Sequence, residues 1–246
     1  MLPAKPRHEL KFLLPIAEKE KFLEAIQFAI RPDSNTGPDG FYRVSSLYYD
    51  TSDKQAFYEK LDGVLRRKKF RLRRYGRMEG SPSPAFFEIK HRFASMICKE
   101  RTCLTAEISD SLYQGQLMPE QLASSSLGFP VSLAHQIEFN HPSLPLEPAV
   151  LVSYLRQAWV GLEEPDLRIT FDTSLSAHPP EDYTSPGRVA GQGFLEDDQA
   201  VLEVKFDHQL PRWLQQRLIS RGLHPVRYSK YAEAELSRGI VEMKVP

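Results

Sequence analysis

Basic residues are concentrated in one short part of the chain: seven of the nine residues in 66–74 are Lys or Arg. The segment also alternates like a β-strand, in which successive side chains point to opposite faces. Lys69, Arg71 and Arg73 therefore share one face, and apolar residues share the other. A row of fixed positive charge suits a polyanion, most simply linked phosphates, which bind through charge-assisted hydrogen bonds.

The same division into a charged face and an apolar face recurs in six further segments that read as strands. Their charged faces carry Arg7, Glu9 and Lys11; Glu88, Lys90 and Arg92; Lys99 and Arg101; Tyr154 and Arg156; Arg168, Thr170 and Asp172; and Glu203 and Lys205. For any single strand, a polar face normally points to solvent. Across the set, however, the polar faces are dominated by Arg and Lys rather than by a mixture of signs. We therefore predict an α+β protein built on an antiparallel eight-stranded β tunnel or barrel, with a charged interior and helices packed outside.

The rest of the chain supplies a few helices and loops. Apolar spacing predicts helices over residues 17–31, 53–63, 211–222 and 232–243. Residues 110–148 are broken by prolines, and residues 176–198 read as a long loop or hairpin connection. No linker divides the chain, so a single domain over residues 1–246 is expected.

Composition limits the function classes. Lys plus Arg and Asp plus Glu both total 32, so a general nucleic-acid coat is not expected. No signal-peptide core or run of about 20 apolar residues is present. Cys98 and Cys103 fall on opposite faces of one strand, which disfavours a disulfide between them. We expect a soluble cytoplasmic protein that has no membrane segment.

Common catalytic motifs are absent from the sequence. It contains no GxxxxGK[ST], GxGxxG or GxSxG, and its histidines lack metal-binding spacing. Phosphoryl transfer commonly needs a divalent ion held by one or two carboxylates. Glu203 and Glu9 are the main candidates, with Glu88 and Glu107 as weaker ones. The alternative is that these glutamates only neutralise neighbouring Lys and Arg.

Nine short motifs, in order, resemble one known family. RHELK, YRVSSLYYDT, KFRLRRYG, FFEIKHR, KER, SYLRQAW, DLRITFDT, AVLEVKF and RYSKY are similar to the VTC-type polyphosphate polymerase domain. That domain belongs to the triphosphate tunnel metalloenzymes, also called the CYTH superfamily. The resemblance covers residues 7–231. It implies transfer of the ATP γ-phosphate to a growing inorganic polyphosphate chain, with ADP released and Mn²⁺ or Mg²⁺ required.

The resemblance also assigns roles residue by residue. It implies catalytic contacts from Lys11, Arg71, Arg73, Lys90, Arg156 and Arg168. It implies phosphate binding by Lys99, Arg101, Lys205, Arg227, Ser229 and Lys230, and metal binding by Glu203 and Glu9. Lys230 is out of phase with Arg227 and Ser229, so a bulge or a turn into the last helix is expected there.

One departure from the superfamily pattern concerns the first strand. The usual E-x-E-x-K reads R-x-E-x-K here, with Arg7 in place of the first acid. One acid fewer suits a polymerase better than a two-metal hydrolase. A tunnel triphosphatase or polyphosphatase, or a non-catalytic polyphosphate-binding module, stays open as an alternative, because all three use the same phosphate clamp.

Overall fold

The computed structural model describes residues 5–76, 85–94, 96–114, 146–184 and 191–239. Its strands are β1 (Arg7–Pro15), β2 (Ile30–Pro32), β3 (Tyr42–Asp50), β4 (Arg66–Gly76), β5 (Ala85–Phe93), β6 (Met96–Leu104), β7 (Glu147–Gly161), β8 (Arg168–His178), β9 (Gln192–Gly193) and β10 (Gln199–Phe206). Its α-helices are α1 (Ile16–Ile26), α2 (Gln55–Leu61), α3 (Ala106–Tyr113), α4 (Arg212–Ser220) and α5 (Lys230–Ser237).

Eight antiparallel strands close into a barrel, as the alternating sequence pattern predicts. The order is β7-β3-β4-β5-β6-β1-β10-β8, and β8 pairs back onto β7. The short strands β2 and β9 extend β7 and β8 at the outside. Most neighbours share long ladders, but β1 and β6 pair only at Arg7 with Ile97 and His8 with Met96. The barrel therefore has one thin seam.

The outer face is apolar and is covered by helices. One cluster packs α1 and α4 against β1, β8 and β10, with Phe12, Phe22, Phe171, Leu202 and Leu214 at its centre. Another covers β3, β4, β5 and β7, where Leu47, Phe70, Phe87 and Leu151 pack beside α3 and a 3₁₀ helix over Pro180–Thr184. Successive side chains of a strand point to opposite faces, so the charged residues between these apolar ones point to the inside of the barrel.

Helix α5 packs inside the barrel, whereas the sequence predicts helices on the outside only. Tyr231, Ala232 and Ala234 of α5 pack against Tyr48 and Val152, which belong to the inward-facing residues of the barrel. The helix thus fills part of the interior near the ends of β3 and the beginning of β4. The charged strands β1, β4, β5, β6 and β10 keep the remaining space open.

Several sequence expectations are corrected in detail. The first helix stops at Ile26, because Ile30 instead pairs with Gly161 of β7. Strand β8 runs into the expected loop as far as His178, since it stays paired with Leu151. The last helix begins at Lys230. The broken segment 110–148 lies mostly outside the described residues, as do residues 185–190 of the expected loop and the end of the C-terminal helix. No described helix is long and apolar enough to cross a bilayer.

Candidate functional site

The barrel encloses a cavity of about 800 Å³. Among the described residues, its lining contains sixteen Lys and Arg side chains and only two carboxylates, Glu9 and Glu203. The lining extends from Arg67 to Gly76 of β4, which is about 30 Å of extended strand. The basic faces of the strands are thus enclosed, as predicted, although the formal net charge of the whole chain is zero.

Three lysines face one another across adjacent strands. Lys69 of β4 lies opposite Lys90 of β5, and Lys90 lies opposite Lys99 of β6. Like charges directly opposite in a sheet destabilise it. Burial and the neighbouring Lys11, opposed by Glu9, lower the pKa of Lys90 to about 7. Burial lowers the pKa of Lys99 to about 8. The row is partly neutralised, because Glu9 lies 3.0 Å from Lys90 and Glu88 lies 2.8 Å from Lys99.

Lys69 is the member of the row with the least acidic surroundings. Its ammonium donates to the Ser229 hydroxyl at 2.9 Å and lies 4.9 Å from the centre of the Tyr231 ring. Burial, together with Lys90, Lys11 and Lys60, lowers its pKa well below the ordinary value. A bound anion would relieve this repulsion.

Arg71 and Arg73 form a buried pair of guanidinium groups on β4. Glu88 lies behind them: its Oε2 is 2.7 Å from Nη2 of Arg71 and 3.8 Å from Nη1 of Arg73. The side chain of Arg73 also donates to the Ser46 hydroxyl at 2.9 Å. Glu88 is fully buried, and although burial opposes its ionisation, the surrounding cations hold its pKa far below the usual range. Glu88 thus orients the arginines and is not free to hold a metal by itself.

Strands β1 and β10 place four charges in an alternating square. Glu9 lies opposite Lys205, and Lys11 lies opposite Glu203. The ammonium of Lys205 is 2.7 Å from Glu203, and that of Lys11 is 3.4 Å from Glu203 and 3.6 Å from Glu9. Lys90 contacts Glu9 at 3.0 Å across the cavity. The two carboxylates therefore lie side by side, and the cations hold both of them ionised.

A second buried network joins the first residue of α5 to the barrel. Arg156 binds Asp172 through two hydrogen bonds of 2.6 and 2.7 Å. The ammonium of Lys230 lies 2.7 Å from Asp172 and 2.7 Å from Glu203. Ser229 is the N-cap of α5 and accepts a hydrogen bond from the backbone N–H of Ala232. The turn into the helix brings Lys230 into the cavity despite its phase, as expected.

Of the remaining predicted residues, Arg168 and Arg101 line the cavity, whereas Arg227 and Glu107 do not. Arg168 contacts Asp33 at 2.9 Å and donates to the Tyr42 hydroxyl. The guanidinium of Arg101 lies 4.9 Å from the centre of the Phe86 ring. Arg227 is exposed and does not line the cavity formed by the described residues. Glu107, the weaker metal candidate, is exposed in the first turn of α3, outside the barrel.

The cavity also contains residues that the sequence reading did not assign. The sequence places Asp172 on a charged face without assigning it a role, and in the structure it binds both Arg156 and Lys230. Tyr48, which looks like a core aromatic in sequence, accepts a hydrogen bond from Arg71. Lys60 reaches the cavity from α2. The strand alternation could have indicated the first two, but nothing local distinguishes Lys60 from a solvent-exposed helix residue.

The acidic residues suit a substrate-borne cation better than a metal held by protein ligands alone. No group of three potential ligands among His, Cys, Asp and Glu occurs in the described residues. The adjacent, ionised Glu9 and Glu203 match the one or two carboxylates that Mg²⁺ usually takes together with phosphate oxygens. The donor set therefore fits Mg²⁺ or Mn²⁺ bound jointly with a phosphate ligand.

The class that the fold and the site define is a closed antiparallel barrel with a basic interior. The family model of the VTC domain matches residues 6–237. The chain belongs to the VTC-domain family.

Comparison with solved structures agrees with the fold. A candidate adenylate cyclase from Bacillus halodurans has a TM-score of 0.50 and 14% identity, over 92% of this chain and 94% of that one. A conserved hypothetical protein from Pyrococcus furiosus has a TM-score of 0.41 and 11% identity, over 88% of both chains. No curated protein matches the sequence. At this identity the first likeness supports the fold alone.

Proposed function

We propose that this protein is a metal-dependent polyphosphate polymerase that transfers the γ-phosphate of ATP to a growing inorganic polyphosphate chain. The observation that carries the proposal is the repetition of cations along the cavity. Arg67, Lys69, Arg71 and Arg73 follow one another at every second residue of β4, about 7 Å apart. A single triphosphate needs only part of such a ladder, whereas a polymer of phosphates matches its whole length.

The proposed chemistry depends on positioning and charge neutralisation. Phosphoryl transfer needs little covalent help from the protein, provided that attacking and leaving oxygens are aligned and the developing charge is stabilised. Lys11, Arg71, Arg73, Lys90, Arg156 and Arg168 would hold the transferred phosphoryl group and its neighbours. Lys99, Arg101, Lys205, Ser229 and Lys230 would hold the flanking phosphates. The buried carboxylates Glu88 and Asp172 fix three of these guanidinium groups in advance of binding.

Glu9 and Glu203 would hold the Mg²⁺ or Mn²⁺ ion. When bound, such an ion neutralises phosphate charge and orients the oxygens of the triphosphate. Around it, Lys11 and Lys205 keep both glutamates ionised. The need for ATP, and the fact that Cys98 and Cys103 form no disulfide, support a cytoplasmic location.

The test is incubation of the purified protein with ATP and Mn²⁺ or Mg²⁺, with ADP, free phosphate and long-chain polymer resolved from one another. ADP together with polymer is the expected result. Free phosphate without polymer would identify a tunnel triphosphatase or polyphosphatase, which would use the same phosphate clamp. No turnover, with polyphosphate still bound, would identify a binding module.

A further inference from the structure

A second cavity lies on the outside of the barrel, beside α2 and against the outer face of β4 and β5. Its volume is about 540 Å³. Its lining includes the basic residues Arg66, Arg67, Lys68, His91 and Arg92, the acids Asp50 and Glu59, and several aromatic and aliphatic residues. We call this cavity the outer groove.

The outer groove adjoins the interior cavity. Arg67 and Arg92 line both. They lie directly opposite each other, near the beginning of β4 and the end of β5. A cationic surface therefore continues from the interior, around the ends of these strands, to the outer face. There the opposed pair Lys68 and His91 follows.

The four Lys and Arg side chains of the outer groove outnumber its two lining acids, Asp50 and Glu59, and His91 lies 3.1 Å from Glu100. Arg67 donates to the main-chain carbonyl of Glu59 at 3.3 Å, and Arg92 donates to that of Ala94 at 2.8 Å. The buried carboxylate of Asp50 already accepts from the backbone amides of residues 51, 56 and 57. Two arginines opposed in this way are unfavourable without an anion between or beside them.

We propose that the outer groove binds the part of a polyphosphate chain that extends beyond the barrel, with Arg67 and Arg92 holding the chain at the crossing. The ligand is linear polyphosphate longer than the interior cavity, and a triphosphate does not reach the groove. This inference rests on the proposed function, because it requires the interior to bind phosphate chains. It adds that the protein has separate determinants for long and short chains.

The experiment compares the Kd values for tripolyphosphate and for polyphosphate of about 100 units, measured by competition at fixed ionic strength. The variant is Arg66→Ala combined with Lys68→Ala, since neither side chain lines the interior cavity. Loss of two exposed phosphate contacts is expected to weaken long-chain binding by about tenfold. Tripolyphosphate binding should stay within about twofold of wild type on the same scale. Lys21→Ala combined with Arg217→Ala, two exposed changes on α1 and α4, is the charge-matched control.

Three outcomes would overturn this inference while leaving the proposed function intact. They are unchanged long-chain binding, an equal loss for both ligands, and unchanged polymer binding with lost sedimentation on phosphatidylserine vesicles. The last would make the groove a membrane contact. A wild-type protein that binds neither phosphate ligand would refute the proposed function as well. The two failures are thus distinguishable.

Discussion

The charge on Lys90 changes within the physiological pH range, because its pKa lies near 7 in the ligand-free protein. Phosphate ligands need the ammonium form. We expect the affinity for tripolyphosphate to fall as the pH rises from 6 to 9. Lys90→Arg should reduce this dependence without abolishing it, since a guanidinium stays charged throughout whereas Lys99, with a pKa of about 8, still titrates. Comparing the two proteins at each pH, by calorimetry, cancels the titration of the ligand itself. Parallel profiles would mean that Lys90 is not the titrating group.

Lys90 should also make the stability of the ligand-free protein depend on pH, with stability rising as the pH rises. The pKa is lowered from 10.5 to about 7 on folding, so the unfolded chain binds more protons between these values. The free energy of unfolding contributed by this group therefore rises with pH across that window. Urea unfolding at pH 7 and pH 9 should show wild type gaining more stability than Lys90→Arg. A smaller gain in wild type would contradict the burial of a charged Lys90.

Lys69 offers a test in which stability and binding move in opposite directions. Lys69→Met keeps the length of the side chain but removes a charge that faces Lys90 and lies near Lys11 and Lys60. We expect the Tm of the ligand-free protein to rise and the affinity for tripolyphosphate to fall. Lys21→Met on the outer face should change neither by a comparable amount. A variant that lost both stability and affinity would show that Lys69 is a structural residue.

Glu203 is expected to be essential for metal-dependent turnover. Glu203→Gln keeps the size of the side chain but removes the charge that a hard cation requires. It also leaves the surrounding Lys230, Lys205 and Lys11 without one shared anion. Breaking such a buried group is expected to cost about 3 kcal/mol of stability. Turnover at limiting Mn²⁺ is the measurement, with Glu20→Gln on α1 as control. Wild-type activity in the variant would exclude Glu203 as a ligand.

At the scale of elements, the strands were predictable and the helices that complete the site were less so. Alternation of charged and apolar residues fixes the inward face of β1, β4, β5 and β10, because a one-residue shift would bury the charges in the core. That reasoning placed Arg71, Lys90 and Glu203 together without knowledge of register. It could not show that α5 enters the barrel, since its apolar residues look like those of an outer amphipathic helix. The Arg227 assignment came from motif order alone, and the structure leaves that side chain outside the lining.

The buried carboxylate of Asp50 links α5 to β3 and α2, in addition to the contacts of Lys230 with Asp172 and Glu203. Asp50 of β3 accepts from the first amides of α2 and, at 2.5 Å, from the Tyr231 hydroxyl of α5. Tyr231→Phe removes only that hydroxyl. We expect a loss of about 2 kcal/mol, typical of a hydrogen bond to a charged group. Urea unfolding measures it, and Tyr228→Phe, whose hydroxyl makes a longer contact of 3.5 Å, should cost less. Equal costs would mean that Asp50 does not anchor α5.

At the scale of the whole molecule, a neutral chain has separated its charges into an acid-poor interior and a mixed exterior. Anions that enter the interior should stabilise the folded state by mass action. At a ligand concentration about 100 times Kd, the expected gain is about 2.7 kcal/mol. Thermal unfolding with tripolyphosphate and with an equal ionic strength of KCl tests this expectation. A similar rise in Tm with both would indicate general screening in place of binding.

The thin seam between β1 and β6 also dictates when the barrel can form. Strand β1 is made before the other strands, but its long partner β10 begins only at Gln199, after eight intervening strands. At ordinary rates of synthesis, β1 waits roughly 10–40 s for that partner. Glu203, Lys205, Ser229 and Lys230 arrive last as well, in β10 and at the start of α5. The growing chain is therefore an open sheet with an unpaired β1, and it has no complete phosphate cavity until β10 and the start of α5 have been synthesised.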